Sequence, residues 1–422
     1  MAANADAERV TPLEATFGLT WPGRDTAFAE ADAAPSGELR LVPDASVRPV
    51  GARHALVEGE NLAVLRLLAG DLRASVGMIY LDPPYNTGRD MGYQDRVRGA
   101  AAGRCGHHSA WLSMMAPRLV LARRLLRDDG LLFVSIDDHE VAHLRMLLDE
   151  IFGEACYLGT FVWRRRSGAM DAASNLSADH EYVLCYTKAS GRLAGQPRSF
   201  ARYRNPDDDP RGPWIADNLS AAKPGGNTLY PITDPNTGHE YWPPAGRYWP
   251  YNPETMARKI AEGRVLFPAR TGGTPMLKRF QREARRTHRP VSTWIAAPGE
   301  AEETTPSLVA GQTTEGTREL KRLLGEKSIR YPKPVSLIRA LVQQASSGTD
   351  LVVDFFAGTA TTAQAVFEAN AGDGHARRVL CVQQDEPLPG SRFASIAEVA
   401  AERMRRVLPE GEGLRVYRFG GG

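Results

Sequence analysis

The tetrapeptide Asp82-Pro83-Pro84-Tyr85 places a carboxylate, two rigid backbone acceptors and an aromatic ring at the end of an apolar run, 76–81. A short apolar run that stops at two prolines predicts a buried strand that ends in a rigid loop. Proline fixes φ and has no N–H, so the loop carbonyls remain available as acceptors for a ligand. Acceptors beside a stacking ring suit the exocyclic amino group of a planar base. Taken alone, the tetrapeptide fits a plain strand-to-loop exit equally well.

A second segment that could bind a ligand, Asp354-Phe355-Phe356-Ala357-Gly358, reads as a strand that runs into a glycine turn and a helix start. In a doubly wound sheet this crevice holds nucleotide-like ligands, because glycine lets a ligand approach the backbone. Glu386 or its neighbour Asp385, at the end of the following strand, is placed to accept hydrogen bonds from ribose hydroxyls. The phosphate-loop pattern with Lys-Ser/Thr is absent, which argues against nucleotide triphosphate hydrolysis.

The elements that must position these segments alternate between strands and helices. Apolar spacing predicts strands at 54–57, 76–81, 131–136, 350–356 and 378–384. It predicts helices at 62–68, 111–126, 141–152, 335–344, 363–369 and 396–407. Two further extended stretches, 157–163 and 181–186, predict a hairpin. This order indicates a parallel α/β sheet with an antiparallel edge.

The composition changes near residue 190. Residues 191–300 contain 15 of the 29 prolines and four of the seven tryptophans, with 17 basic and 10 acidic residues. Most of the basic excess falls within 264–289. A basic, aromatic, loop-rich insert predicts a nucleic-acid surface, and a solvated charged face around a small aromatic core is the alternative.

Bulk composition is that of an ordinary globular protein of 422 residues, with 52 basic and 50 acidic residues. The four cysteines show no metal-ligand spacing, which predicts a reducing compartment and no structural zinc. The first nine residues lack the apolar core of a signal peptide, and no apolar run approaches the length of a membrane span. We therefore expect a cytoplasmic protein with neither a metal nor a membrane partner.

Taken together, these segments resemble the amino-group DNA methyltransferases, specifically the adenine-N6 enzymes of the β arrangement. The nearest likeness is to the modification subunits of Type III restriction–modification systems. Asp82-Pro83-Pro84-Tyr85-Asn86-Thr87-Gly88 matches the family's catalytic motif, and residues 354–358 with Thr361-Thr362 resemble its S-adenosylmethionine motif. Tyr331-Pro332-Lys333-Pro334-Val335 is similar to the segment that flanks the methionine part of the cofactor. Glu58-Gly59-Glu60-Asn61 stands where the family has an acidic loop near the cofactor adenine.

The resemblance implies a Rossmann-like class I methyltransferase fold with circularly permuted motif order. It divides the chain into an N-terminal arm (1–45), a catalytic half (46–190), a DNA-recognition insert (191–320) and a cofactor-binding half (321–422). The implied catalytic residues are Asp82, Pro83, Pro84 and Tyr85. The implied cofactor-binding residues are Glu60, Lys333, Asp354, Phe356, Gly358, Thr361, Thr362 and Glu386. The expected DNA-binding residues are Arg164, Arg165, Arg166, Arg282, Arg285 and Arg286.

The implied activity is methyl transfer from S-adenosylmethionine to the N6 amino group of adenine in double-stranded DNA, without a metal, within a restriction–modification or related system. A restriction subunit and a second copy of the chain are the protein partners considered. The chain is shorter than typical Type III modification subunits, which leaves partnership with a restriction subunit open. The family commonly has Ser-Gly where this chain has Thr359-Ala360, and a Cβ at position 360 could crowd the turn. The alternatives are a cytosine-N4 or RNA methyltransferase and a DNA-binding pseudoenzyme. Asp82 favours adenine, because members that act on cytosine-N4 more often carry Ser there.

Overall fold

The structure is a computed structural model, and it describes residues 18–88, 104–168, 175–270, 272–284, 287–300, 306–325 and 331–420. The chain forms two compact units. The first unit comprises Met1–Gly195 with Pro290–Gly422, and the second comprises Gln196–Arg289. Among the described residues, no helix is both long and apolar enough to cross a membrane.

The first unit is built on a ten-stranded sheet flanked by helices. Its helices are α1 (Arg24–Ala29), α2 (Asn61–Leu68), α3 (Arg104–Leu125), α4 (Val141–Phe152), α6 (Thr313–Leu324), α7 (Val335–Ala345), α8 (Thr361–Asp373) and α9 (Ile396–Val407). Its strands are β1 (Glu38–Leu41), β2 (His54–Glu58), β3 (Val76–Leu81), β4 (Leu126–Ile136), β5 (Tyr157–Arg164), β6 (His180–Thr187), β14 (Trp294–Ile295), β15 (Leu351–Asp354), β16 (Arg378–Gln383) and β17 (Leu414–Gly420).

The strand order in this sheet is β1-β17-β2-β16-β15-β3-β4-β6-β5-β14. Neighbouring strands from β17 to β4 are parallel. The hairpin of β5 and β6 is antiparallel and attaches to β4 through an antiparallel pairing. The predicted fold class, a Rossmann-like sheet with an antiparallel edge, is confirmed.

Strand β3 shows why both faces of the sheet are covered. Its side chains alternate, so that Ile79 and Leu81 join one apolar cluster while Met78 and Tyr80 join another. The first cluster is completed by residues of α2, α3 and α4, and the second by residues of α7, α8 and α9. A central parallel strand buried on both faces reads as a continuous apolar run, as this one does.

The structure differs from the sequence-based expectation at the ends of the sheet. Residues 18–45, expected as a loosely packed arm, contribute the buried Trp21 and the strand β1, which pairs antiparallel with β17. Strands β1 and β17 were not expected at all. Helix α3 begins at Arg104, seven residues before the expected 111, and β4 follows it directly at Leu126.

The second unit has its own small core. Its elements are α5 (Pro253–Ala261), β7 (Gln196–Pro197), β8 (Trp214–Asn218), β9 (Ile232–Thr233), β10 (Glu240–Tyr241), β11 (Val265–Leu266), β12 (Met276–Phe280) and β13 (His288–Arg289). Trp249, Met256 and Leu277 are among the residues of a separate apolar cluster. The unit is narrower than the expected insert of 191–320, because β14 pairs with β5 and α6 packs against α9 in the first unit.

Candidate active site

The two ligand-binding segments meet because their strands are neighbours in the sheet. Strands β3 and β15 pair in parallel, with Val352 opposite Met78 and Val353 opposite Ile79. Asp82 follows the last residue of β3, and Asp354 is the last residue of β15. The carboxyl ends of both strands therefore lie at the same edge of the sheet, which is where open α/β sheets bind ligands.

The Asp82 carboxylate is paired with a lysine from the other end of the chain. Lys333 Nζ lies 2.8 Å from Asp82 Oδ1 and 3.0 Å from Oδ2. Burial raises the pKa of Asp82 above its usual range, and the Lys333 ammonium opposes that rise. The lysine just before α7, predicted to contact the cofactor, is thus in contact with the predicted catalytic carboxylate.

A second carboxylate, Glu181 on β6, lies beside the same lysine and has 6% of its surface exposed. Tyr85 donates its hydroxyl hydrogen to Glu181 Oε2 at 3.1 Å, and Arg165 donates to Oε1 at 3.0 Å. Lys333 Nζ lies 3.4 Å from Glu181 Oε2 and 4.8 Å from the centre of the Tyr85 ring. Glu181 was not predicted as a site residue, although a glutamate at a buried position of an apolar strand was a signal that could have revealed it.

The proline loop is fixed from behind by Trp111 of α3. The indole Nε1 donates to the Pro84 carbonyl at 2.6 Å, and Trp111 is fully buried. This bond uses one of the two lone pairs of the Pro84 carbonyl oxygen. That the two proline carbonyls accept hydrogen bonds from a ligand stays a prediction.

Asn86, the residue after Tyr85, is held by a cluster of polar groups around the buried Glu140. Its Nδ2 donates to Glu140 Oε1 at 2.6 Å. The same fully buried carboxylate binds His108 Nδ1 at 2.7 Å and His143 Nδ1 at 2.8 Å. These histidine and carboxylate atoms lie within 4.8 Å of one another, and the direct hydrogen bonds account for that arrangement. The cluster anchors the loop that carries Tyr85.

The Asp354 carboxylate is part of the turn and supports its shape. Its Oδ1 accepts from the Phe356 backbone N–H at 3.0 Å, and its Oδ2 accepts from the Thr362 hydroxyl at 2.5 Å. Burial raises the pKa of Asp354 to about 7. Gly358 adopts φ 53°, and a Cβ added there would meet no heavy atom within 4 Å. The turn is thus braced on the inside and open above Gly358.

The acidic loop before α2 is tied to this turn through Gln383 at the end of β16. The Gly358 N–H donates to Gln383 Oε1 at 2.7 Å, and the Gly59 N–H donates to Gln383 O at 2.9 Å. Asn61 Nδ2 donates to the Phe355 carbonyl at 2.7 Å. Glu60 caps α2 through the Leu62 and Ala63 N–H groups, and its side chain remains 43% exposed. The predicted cofactor residues Glu60 and Gly358 therefore share one edge.

The helix that follows the turn rests on a buried arginine that the sequence analysis missed. Arg403 of α9 donates to Gln364 Oε1 at 3.0 Å, and to the hydroxyls of Thr359 and Thr361, each at 2.8 Å. Burial lowers the pKa of Arg403 to about 10. Thr361 and Thr362 are buried, and their hydroxyls bond within the protein. They support the turn from inside.

Two other predicted cofactor residues lie at the same edge. Phe356 follows Asp354 by two positions and is partly buried, and Glu386 follows the end of β16 and is half-buried.

The predicted DNA-binding residues are spread more widely than the predicted cofactor-binding residues. Arg164 lies 3.6 Å from Glu300, Arg165 contacts Glu181, Arg166 is half-buried and Arg282 is exposed. Arg285 and Arg286 lie outside the described residues.

Ala360 occupies the left-handed position that the sequence suggested a glycine would prefer, with φ 58° and ψ 40°. It is fully buried and belongs to the apolar cluster of α7, α8 and α9. Its methyl group therefore packs into the core.

We expect Ala360→Gly to leave S-adenosylmethionine affinity within about twofold. Relief of the left-handed backbone, about 1–2 kcal/mol, is largely offset by loss of a buried methyl group, about 0.8 kcal/mol. The free energy of unfolding should therefore change by about 1 kcal/mol or less. Calorimetry and urea denaturation measure the two quantities, and markedly tighter cofactor binding in the variant would show that Ala360 does crowd the site.

Known proteins with similar sequences include DNA methyltransferases and a modification subunit. The StyLTI Mod subunit, a Type III restriction-modification enzyme of Salmonella typhimurium, is 32% identical over 95% of this chain, which spans 64% of that protein's length. The Type II methyltransferase M.KpnI of Klebsiella pneumoniae is 28% identical over 83% of this chain and 86% of its own length.

Among solved structures, the cytosine-N4-specific PvuII DNA methyltransferase is similar with a TM-score of 0.43 and 11% identity, over 85% of this chain and 88% of that one. A DNA modification methylase of Thermus thermophilus, TTHA0409, solved with S-adenosyl-L-methionine, gives a TM-score of 0.39 and 17% identity over 86% and 99% of the two chains. The DNA methylase family model matches residues 76–372, which include both ligand-binding segments. The resemblance stated from the motifs is confirmed, and this chain belongs to the DNA methylase family.

Proposed function

We propose that this chain transfers a methyl group from S-adenosylmethionine to the N6 amino group of adenine in double-stranded DNA. The observation that carries the proposal is that the segment with Asp82 and Tyr85 follows β3, while the open turn at Gly358 follows β15, the neighbouring parallel strand. A carboxylate and an aromatic ring suit an exocyclic amino group, and an open glycine turn suits a nucleoside cofactor. Membership of the DNA methylase family supports the same assignment.

The residues around the turn fit S-adenosylmethionine. Gly358 leaves space above the backbone, and the carboxylates of Glu60 and Glu386 stand at the same edge as acceptors for hydroxyl and amino groups. Asp354 keeps the turn in shape and Phe356 adds apolar surface. When bound there, the cofactor supplies an electrophilic methyl group.

The chain's own residues position the base. An adenine inside a duplex cannot bring its amino nitrogen to Asp82, so the base must be flipped out of the stack. We call the proposed place of the flipped base, between Asp82, Pro83 and Tyr85, the base pocket. Tyr85 then stacks on it, and Asp82 with the Pro83 carbonyl accepts hydrogen bonds from the amino group. These contacts orient the nitrogen lone pair toward the Gly358 turn. Catalysis is therefore positioning and electrostatic stabilisation, without a covalent enzyme intermediate.

We propose adenine as the base because the catalytic motif begins with Asp82, and members acting on cytosine-N4 more often carry Ser. We propose a restriction subunit as partner because the StyLTI Mod relative belongs to a Type III restriction-modification enzyme. A homodimer is a further proposal, which sedimentation of the purified chain tests. The cytoplasmic location stays a prediction from the sequence.

Long-read sequencing that detects modified bases tests the proposal directly. DNA from cells that express the chain should carry N6-methyladenine at one recognition sequence, and DNA from cells with an empty vector should not. N4-methylcytosine at that sequence would change the assigned base. Unmodified DNA, together with methylated RNA, would overturn the choice of substrate.

The second unit is the proposed DNA-recognition region, and its exposed Arg282 allows a test. We expect the triple change of Arg282, Arg285 and Arg286 to Ala to weaken DNA binding and to flatten its salt dependence. Each lost phosphate contact reduces the slope of log K against log salt by about 0.9. Fluorescence anisotropy at several salt concentrations measures the slope, with S-adenosylmethionine affinity as the internal control. An unchanged slope would indicate that these arginines do not contact DNA phosphates, and Arg164 and Arg166 would be tested next.

A further inference from the structure

The ammonium group of Lys333 lies at the position that the proposed function gives to the amino group of the target base. It contacts both oxygens of Asp82, at 2.8 and 3.0 Å. It also lies 4.8 Å from the centre of the Tyr85 ring, a distance typical of a cation over an aromatic face. The carboxylate and the ring face are the two features that should bind the base.

Lys333 and a base cannot use these features at the same time. A flipped adenine needs the Asp82 oxygens for its amino group and the ring face of Tyr85 for stacking. The chemistry adds a second conflict, because the amino nitrogen gains positive charge as it accepts a methyl group. An ammonium beside it would repel that charge and would neutralise the carboxylate that should stabilise it.

Glu181 can serve as an alternative ion-pair partner for the Lys333 ammonium. Its Oε2 atom lies 3.4 Å from Lys333 Nζ, and the carboxylate is 6% exposed. A lysine side chain has a flexible four-carbon stem, so a short rotation would exchange one carboxylate for the other. Arg165, at 3.0 Å from the other oxygen, holds Glu181 in place.

We propose that Lys333 is a displaceable occupant of the base pocket and that Glu181 receives its ammonium when the target base enters. Without a base, the lysine ammonium is a counter-charge for the part-buried Asp82 carboxylate. With a base bound, the Lys333–Glu181 pair leaves Asp82 negatively charged for the reaction. This inference rests on the proposed function, since it assigns the pocket to a base.

The test is steady-state transfer of tritiated methyl groups to unmethylated genomic DNA. Lys333→Met removes the charge and keeps the length of the side chain. If about a tenth of the parent protein has an open pocket, the variant should bind DNA about tenfold more tightly. We therefore expect its KM for DNA to fall about tenfold, with kcat within about twofold. Lys321→Met, which removes an exposed lysine of α6, is the matched control and should change neither constant.

Glu181→Gln provides the second arm, because it removes the charge that receives the ammonium. Its KM for DNA should rise, and the double variant with Lys333→Met should return to the low KM of Lys333→Met alone. Without the ammonium, the pKa of Asp82 should rise further, so the acid limb of kcat/KM should move to higher pH in Lys333→Met. Should Glu181→Gln fail to fold, the KM for DNA and the pH dependence of kcat/KM in Lys333→Met alone test the inference.

Three results would overturn the inference, and they are distinguishable. A lower kcat with unchanged KM for DNA would make Lys333 a group needed in the reaction itself. A raised KM for S-adenosylmethionine alone would return Lys333 to the cofactor-binding role predicted from the sequence. Absence of methyl transfer by the parent chain on any DNA would reject the proposed function, and this inference with it.

Discussion

Replacement of Asp82 by alanine is expected to abolish methyl transfer to DNA while cofactor binding and the folded state persist. The carboxylate lies at the end of β3 and contacts Lys333, whereas the proposed cofactor turn is braced separately by Asp354 and Gln383. Loss of one preorganised group that stabilises developing charge typically costs about 10²–10³ in kcat. We expect at least that loss here.

The measurement is tritiated methyl transfer to duplex DNA of mixed sequence, followed by digestion to nucleosides. S-adenosylmethionine affinity by calorimetry and the thermal melting curve serve as readouts of the cofactor site and the fold. Asp25→Ala, which removes an almost fully exposed carboxylate, is the matched control and should retain parent activity. Full activity in Asp82→Ala would reject the catalytic assignment.

Tyr85 should be sensitive to loss of its ring and tolerant of loss of its hydroxyl. Tyr85→Ala removes base stacking, which is worth about 1–3 kcal/mol per base, and also leaves Glu181 without one of its donors. Tyr85→Phe keeps the ring and loses the hydroxyl, which bonds to Glu181 at 3.1 Å and to the Asp82 carboxylate, a loss of about 0.5–1.5 kcal/mol for each hydrogen bond. We therefore expect the Ala variant to lose much more activity than the Phe variant.

The same transfer assay compares the two variants, with kcat and KM for DNA determined separately. Equal losses in Tyr85→Ala and Tyr85→Phe would show that the hydroxyl carries the function of this residue. Parent-like activity in Tyr85→Ala would remove the ring from the base site altogether.

The local sequence was sufficient to predict a strand where that strand is buried on both faces of the sheet. The run 76–81 is a continuous apolar segment, and both its type and its ends were predicted. The strand expected at 350–356 was predicted as to type, but it spans only 351–354. Strands β1 and β17 were missed because they are half-exposed and carry charged residues such as Arg40 and Arg418. β1 is the edge strand and β17 its neighbour, and partly exposed strands with charged residues give a weak apolar signal.

In the candidate site too, some residues could be predicted from the local sequence and others could not. Asp82, Tyr85 and Gly358 follow strand ends directly, so short motifs revealed them. Glu181 and Arg403 reach their places only through the fold, from β6 and α9. Nothing near either residue in the sequence indicates which distant group it will contact. The pairing of Lys333 with Asp82 was missed for that reason as well.

The first and last residues of the second unit lie side by side, because β7 and β13 pair with Gln196 opposite Arg289. A segment whose two ends meet in this way can be exchanged as one piece by recombination at its borders. The carboxyl edge formed by β3 and β15 is encoded outside those borders. If the unit selects the DNA sequence, new specificities can be inherited by swapping residues 196–289 between related genes, without any change to the chemistry.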